Sequence, residues 1–567
     1  MSTDDRDITS GSTTTRLPRA RGRTSRSLIL NSLSTYTRMA GTLIVGLIVT
    51  KYLVREDTLG VAGFGLFALL MSSVGLTSIV SATVRLSLVR ELSDAYSSND
   101  PDAMPTRFTA AVALSLGLAS ALFVAMIALT PLILRVFQFP DTMADQVRWS
   151  WVVMTVHLAI AVITTPHLTL LDAMGRIPLR NWFYFLDRAA SLVAAIIVFA
   201  AGFGDSTPLL GYVLANAALT SALRVVGGVW AFLSCRAARI EPSRVSIDQL
   251  RQLVHTGGHV FKAEIASNLY VRTNQVLFNI FLGPVINGLF AVVTLVHGWT
   301  QQISYGLCFG IEPLAAKFAQ HKNADRDFIG PLILTITRIQ AGVLFPVNAT
   351  LVAMAQIFIN VYLGDDIAKQ RFAANYDIAN MLVILLIGGA FFVVMQGAIR
   401  IMLGAGHVNE YSNKLLGAGV AQAVLALLTL IFVPGLARDA GLTDFQATNA
   451  AMYTVVAQMS AVYFVTYAIV IPRLVCRLYG LSRWSFYVGA LGPGAVIGAL
   501  VGVFFIAYRL AVEDWTIWKL ILPVVVAGAM TAVLGWFFVL KSNERSRILE
   551  LFLPRSRRGA AAAENAL

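Results

Sequence analysis

Only three of the 567 residues are cysteine, and charged side chains make up just 13% of the chain. Cys235, Cys308 and Cys476 are scattered without pairing pattern or metal-ligand spacing, which excludes a disulfide framework and a zinc site. Charge this sparse does not cover the surface of a soluble protein. A hydrophobic fraction of 57% and a mean hydropathy of +0.70 point the same way. No Walker A sequence occurs, which argues against intrinsic ATP use. His255 and His259 stand four apart with no third ligand near, so neither a metal nor a cofactor is expected. Gly63, Gly65 and Ala68 match a dinucleotide fingerprint in spacing, but no strand precedes them, so that reading is discarded.

What the chain does have is long apolar runs. Stretches of about 20 residues or more predict spanning helices near 27–54, 61–84, 108–134, 149–172, 181–201 and 207–234. A second set follows near 256–283, 285–313, 330–362, 376–403, 411–434 and 447–472, and then a pair near 485–508 and 516–540. The expected fold is therefore all-α and polytopic, with about 14 transmembrane helices in two six-helix bundles plus a C-terminal helix pair. The domain reading is a disordered basic tail at 1–26, bundles at 27–234 and 256–475 joined by a basic linker at 235–255, the extra pair at 485–540, and a basic tail at 541–567. The first apolar run is too long for the core of a signal peptide and lacks a small-residue cleavage site, so it is expected to remain as a helix.

A formal charge of +13 suggests a nucleic-acid partner only if the basic residues cluster on a soluble face. Here they sit in short loops and in both tails, and no nucleic-acid partner is expected. The Lys and Arg residues fall mostly on one side of the fourteen spans, in the tails and in loops bearing Arg90, Arg176, Arg239, Lys322, Lys414 and Arg477. By the positive-inside rule that side is cytoplasmic. The expectation is a multi-pass protein of the bacterial inner (cytoplasmic) membrane with both termini cytoplasmic.

The chain also repeats itself. Gly65-Leu66-Phe67-Ala68 recurs as Gly288-Leu289-Phe290-Ala291, 223 residues later, each opening the second helix of its half. Asp172-Ala173-Met174-Gly175-Arg176 at the end of the fourth span is echoed by Leu403-Gly404-Ala405-Gly406-His407 at the end of the tenth. Two halves in the same orientation usually place a substrate site between them.

The stretch LIVTKYLVREDTLGVAGFGLFALLMSSVGLTSIVSATVRLSLVREL ending at Leu92, IFLGPVINGLFAV at 280–292, IEPLAAKFA at 311–319 and the two helix-end turns carry a resemblance. Over roughly residues 27–475 the chain resembles the polysaccharide transporter (oligosaccharide flippase) branch of the multidrug, oligosaccharidyl-lipid and polysaccharide exporter superfamily. The resemblance implies two bundles in a V, alternating access, and no enzyme activity. It implies flipping or export of a lipid-linked oligosaccharide, a polyprenyl-pyrophosphate sugar unit, for surface polysaccharide biosynthesis. The partners implied are that substrate and membrane lipids, with a polysaccharide polymerase and glycosyltransferases as candidates. The turn Arg55-Glu56-Asp57-Thr58-Leu59-Gly60 is longer than the Gly283-Pro284 form in the second half.

Charges inside spans mark function by default, since each costs roughly 2.5 to 3.5 kcal/mol at a bilayer centre on insertion scales. In the seventh span Glu264, Asn268, Arg272, Gln275 and Asn279 recur at three- and four-residue spacing and share one helical face. In the first span Asn31, Ser34, Arg38 and Thr42 repeat the pattern. The candidate substrate-binding set is Arg38, Lys262, Arg272, Asn31, Asn268 and Gln275. Arg can hold phosphate oxygens bidentately, and the amides can exchange hydrogen bonds with sugar hydroxyls. Glu264 is the candidate for coupling to a proton or sodium gradient; the competing structural reading pairs it with Arg272. Asp187, Arg188, Arg224 and Arg338 are expected to find local partners, Arg338 near the headgroups.

Three other functions compete. A cation-coupled multidrug exporter calls for carboxylates and aromatics rather than an arginine-lined cavity. A lipid II type flippase fits the same cationic features. A polyprenyl-sugar-dependent membrane glycosyltransferase would use Glu56 and Asp57, yet their loop is too short to hold an acceptor.

Overall fold

The computed structural model describes residues 21–98, 100–200, 202, 207–308, 310–319, 328–363, 378–512, 517–542 and 544–546. These residues form fourteen long helices and no strands. They are α1 Arg21–Leu53, α2 Gly60–Ser97, α3 Ala103–Ala128 with the short continuation Thr130–Val136, α4 Asp141–Ala173, α5 Ile177–Ala200, α6 Pro208–Ser234 and α7 Ile247–Leu282. Then come α8 Pro284–Leu307, α9 Gly330–Ala353 continued by Ala355–Leu363, α10 Ile378–Gly404, α11 Val408–Asp439, α12 Asp444–Tyr479, α13 Ser485–Ala511 and α14 Ile517–Leu534 running on through Gly535–Val539. Eleven are long and apolar enough to cross a membrane. The exceptions are α2, whose described apolar part is Gly60–Gly75, and the more polar α7 and α8. The protein is an all-α, multi-pass membrane protein.

The helices outrun the apolar windows that mark them. α2 continues to Ser97, α7 starts at Ile247 and α1 at Arg21, so residues 21–26 and 247–255 are helical where a tail and a linker are expected. Ser246 caps α7, its side chain accepting from the Gln249 amide at 3.2 Å. At 1.5 Å per residue the 36 residues of α7 reach about 54 Å, well beyond a bilayer core. Residues 1–20 and 547–567 of the expected tails lie outside the described residues.

The sequence repeat is also a packing repeat. In the first half α2 packs on α3 and α4, α3 on α4, α1 on α5, and α6 on both α4 and α5. Adding six to each number gives the pairs of the second half: α8 on α9 and α10, α9 on α10, α7 on α11, and α12 on both α10 and α11. The helix-end turns repeat as well. Gly175 and Gly406 take φ of +69° and +96°, and the next amides, of Arg176 and His407, donate to Leu171 and Met402.

The halves meet chiefly where α2 crosses α7 and α8. The two Gly-Leu-Phe-Ala segments face each other there. A Cβ on Gly65 would lie 1.9 Å from the Pro284 carbonyl oxygen, and one on Gly288 would lie 2.4 Å from that of Val61. Asn287 is fully buried and donates to the Gly65 carbonyl at 2.9 Å. Nearby, the Gln138 amide donates to Asn279 Oδ1, Asn279 Nδ2 donates to the Gln138 carbonyl, both at 3.1 Å, and Gln138 Nε2 reaches the Ile280 carbonyl at 2.8 Å. These bonds join the halves at the end of the bundle where α1 finishes and α2 begins, the distal end. α13 packs on α9 through Gly494 and Gly498, which lie against the backbone of Ala341 and Phe345. Arg338 of α9 meets Glu544 beyond α14 at 2.6 Å, a partner within the chain rather than a lipid headgroup.

Candidate functional site

Arg272 lies ten residues before the end of α7, about 15 Å from its distal terminus. Its guanidinium crosses to α2, where Nη1 donates to the Met71 carbonyl at 3.3 Å. Gly75 makes this possible, since a Cβ there would stand 1.3 Å from Nη1. A glycine of one half thus seats an arginine of the other.

Below Arg272 a cavity of about 340 Å³ is lined by Met71, Gly75 and Arg85 of α2, His157 and Thr165 of α4, Tyr184 of α5 and Arg224 of α6, among others. From Met71 to Arg85 it follows α2 for about 21 Å. More cations surround it. Arg38 and Arg180 lie over the Tyr184 ring, at 5.8 and 5.6 Å from its centroid. Arg180 is ion-paired with Asp172, Arg224 with Asp187 at 3.1 Å, and, on the second half, Arg400 with Glu312 at 3.1 Å. Glu264 lies within electrostatic reach of Arg400, Arg85 and Arg272. Among these described residues, six arginines stand against four carboxylates, an excess of cations. Partial burial against apolar helix walls makes that excess attractive to an anion.

The expected residues divide by position. Arg272 lines the cavity, and Arg38 stands at its edge over Tyr184, with its Nε buried and without a hydrogen-bond partner. Lys262 is exposed. Asn268 donates to the Glu264 backbone carbonyl of its own helix at 2.8 Å. Gln275 is buried and turned toward Thr294 of α8, at 3.4 Å, away from the cavity. Ser34 belongs to the α1–α5 contact, accepting from Asn181 at 3.0 Å. The side chains of Asn31, His255 and His259 lie outside the described residues. Arg85, Arg180, Arg400, His157 and Tyr184 are additions. Arg400 falls inside the expected span 376–403 and is legible as an intramembrane charge; Arg85 falls one residue beyond a span closed too early.

A second cavity, about 800 Å³ and almost wholly apolar, lies between α8, α9 and α14, with Trp299, Val343, Phe358, Val525 and Trp536 in its walls. It is separate from the arginines.

The comparisons with solved structures bear on the fold, which is that of an all-α membrane protein similar to transporters of the MATE and MurJ kind. No protein-family model and no curated protein matches the chain. Among solved structures it is similar to an inward-facing multidrug resistance MATE family transporter, with TM-score 0.60 and 13% identity over 78% of this chain and 98% of that one. It is also similar to the lipid II flippase MurJ in an inward closed conformation, with TM-score 0.58 and 10% identity over 90% of this chain and 98% of that one. A third is the eukaryotic MATE transporter AtDTX14, with TM-score 0.54 and 14% identity over 79% and 95%.

Proposed function

We propose that the protein moves a polyprenyl-pyrophosphate sugar unit across a bacterial cytoplasmic membrane by alternating access, with both termini cytoplasmic, for surface polysaccharide biosynthesis. The observation that carries this reading is the convergence of Arg85 and Arg224 from the first half and Arg272 from the second on one cavity. Guanidinium forks match phosphate oxygens, and a site shared by both halves can feel their relative movement. The apolar cavity beside α14 offers room for hydrocarbon. An organic cation would meet like charge in the arginine cavity, which disfavours the multidrug reading. Lipid II carries the same pyrophosphate-lipid chemistry, and the likeness to its flippase supports that substrate class as a whole. Glu264 competes with the substrate for Arg85, Arg272 and Arg400, the simplest route to coupling with a proton or sodium gradient. A polymerase and glycosyltransferases would act on either side of this step.

The test is ligand-induced thermal stabilisation of the purified full-length protein. A short-chain polyprenyl pyrophosphate should stabilise it, whereas the matching polyprenyl alcohol and tetraphenylphosphonium should not, and Arg272→Ala should remove the effect. Equal stabilisation by the alcohol, or preference for the cation, would overturn the reading.

A further inference from the structure

Arg224 has two neighbours of opposite kind. On one side its Nη2 donates to Asp187 Oδ2 at 3.1 Å; on the other its side chain lines the arginine cavity. The pair is incomplete, because Asp187 Oδ1 and Arg224 Nε are both buried without a hydrogen-bond partner. A guanidinium and a carboxylate can form two parallel bonds, and this pair forms one. His157 of α4 lines the same cavity, holds Ser221 Oγ at 2.9 Å through Nδ1, and lies within electrostatic reach of both Arg224 and Asp187. Among the described residues, the other charged or titratable groups around the pair are Arg180 and Tyr184 on α5, Arg85 on α2 and Arg272 on α7, which share the cavity, and Arg38 over Tyr184 on α1. Arg188 lies against Gly46 of α1.

We propose that Asp187 is a built-in anion that the substrate phosphate displaces from Arg224, and that the released carboxylate, beside His157, then binds a proton. The inference rests on the anion-transport reading and adds a second coupling site to it, in the opposite half from Glu264. The exchange balances. The Arg224 Nη2–H bond to Asp187 Oδ2 breaks, the same N–H is donated to a phosphate oxygen, and a solvent proton adds to Asp187 or His157. Arg224 stays cationic throughout. A half-buried carboxylate, one oxygen of which is already without a partner, is left uncompensated when it loses its only cationic hydrogen bond, and protonation removes that charge. By linkage, phosphate binding and proton binding then strengthen each other, whatever the direction of transport.

The experiment is calorimetric titration of inorganic pyrophosphate into the purified full-length protein, repeated in buffers of different ionisation enthalpy to count protons. The wild type should take up about one proton more per pyrophosphate than Asp187→Asn, because subtraction removes the ligand's own protons. Asp187→Asn should also bind pyrophosphate more tightly at high pH, its competitor having gone. Equal proton uptake in the two proteins would overturn the proposal while leaving anion binding intact. No pyrophosphate binding by the wild type would instead remove the functional reading beneath it. Should Asp187→Asn fail to fold, infrared difference spectra of the wild type carrying ¹³C-aspartate answer the same question. A new protonated-carboxyl or imidazolium band on pyrophosphate binding supports the exchange, and neither band appearing overturns it.

Discussion

Replacing Gly75 by alanine would move Arg272 without removing it. The added methyl would stand 1.3 Å from Nη1 and 2.2 Å from Cζ, where ordinary contact begins near 3.4 Å. The guanidinium must therefore withdraw by about 2 Å, which breaks its bond to the Met71 carbonyl. Since the obstructing atoms are the far end of a flexible side chain, the helices need not part and the protein should fold normally. Displaced by about 2 Å, the guanidinium would also lose its own charge-assisted bond to a phosphate, worth about 1.5–3 kcal/mol, so pyrophosphate-lipid binding should weaken by roughly 10- to 150-fold. Alanine also suits a helix interior better than glycine by about 1 kcal/mol, which offsets part of the lost Met71 bond, so the thermal midpoint should fall only slightly. Affinity measured by calorimetry should thus fall far more than stability measured by thermal melting. Unchanged affinity in Gly75→Ala would refute the idea that the seat of Arg272 matters to the ligand.

The Gly65–Gly288 contact should behave in the opposite way, because its obstructing atoms are backbone. Gly65→Val should lower the thermal midpoint by 1–3 kcal/mol or more in stability terms, whereas valine at Gly117, which has open space around it, should cost far less. Asn279→Ala removes two of the bonds joining the halves at the distal end, worth together about 1–3 kcal/mol. Spin labels at the exposed positions Glu56 and Thr443 should then show a larger long-distance population, and an unchanged distance distribution would rule out a latch there.

The architecture was largely legible in the sequence. Apolar windows marked each helix, and the repeated Gly-Leu-Phe-Ala segments marked equivalent places in the two halves. Helix ends were not legible, because hydropathy records where lipid lies and not where backbone hydrogen bonding stops; hence α2 runs to Ser97 and α7 begins at Ile247. A repeat likewise reports equivalence without contact, so nothing announced that Gly65 and Gly288 pack on each other. The polar face of α7 shows why a stripe is not a site. Arg272, Gln275 and Asn279 share one side of the helix, yet they are spread over about 10 Å of its length and meet three neighbours in turn: Met71 of α2, Thr294 of α8 and Gln138 after α3. Intramembrane charge was the better guide, since Arg272 and Arg224 both lie within expected spans. Their arrangement around one cavity depended on contacts between helices far apart in sequence.

Transport itself tests the central claim. The full-length protein would be reconstituted in vesicles with a fluorescent polyprenyl-pyrophosphate sugar, and its appearance on the opposite leaflet followed by quenching. The account predicts protein-dependent movement that Arg272→Ala abolishes at equal protein content and Arg272→Lys restores only in part, because a point charge keeps the attraction and loses the bidentate fork. Recovery of movement in the double variant Glu264→Gln with Arg272→Gln would contradict it, since Arg272 would then serve only to neutralise Glu264.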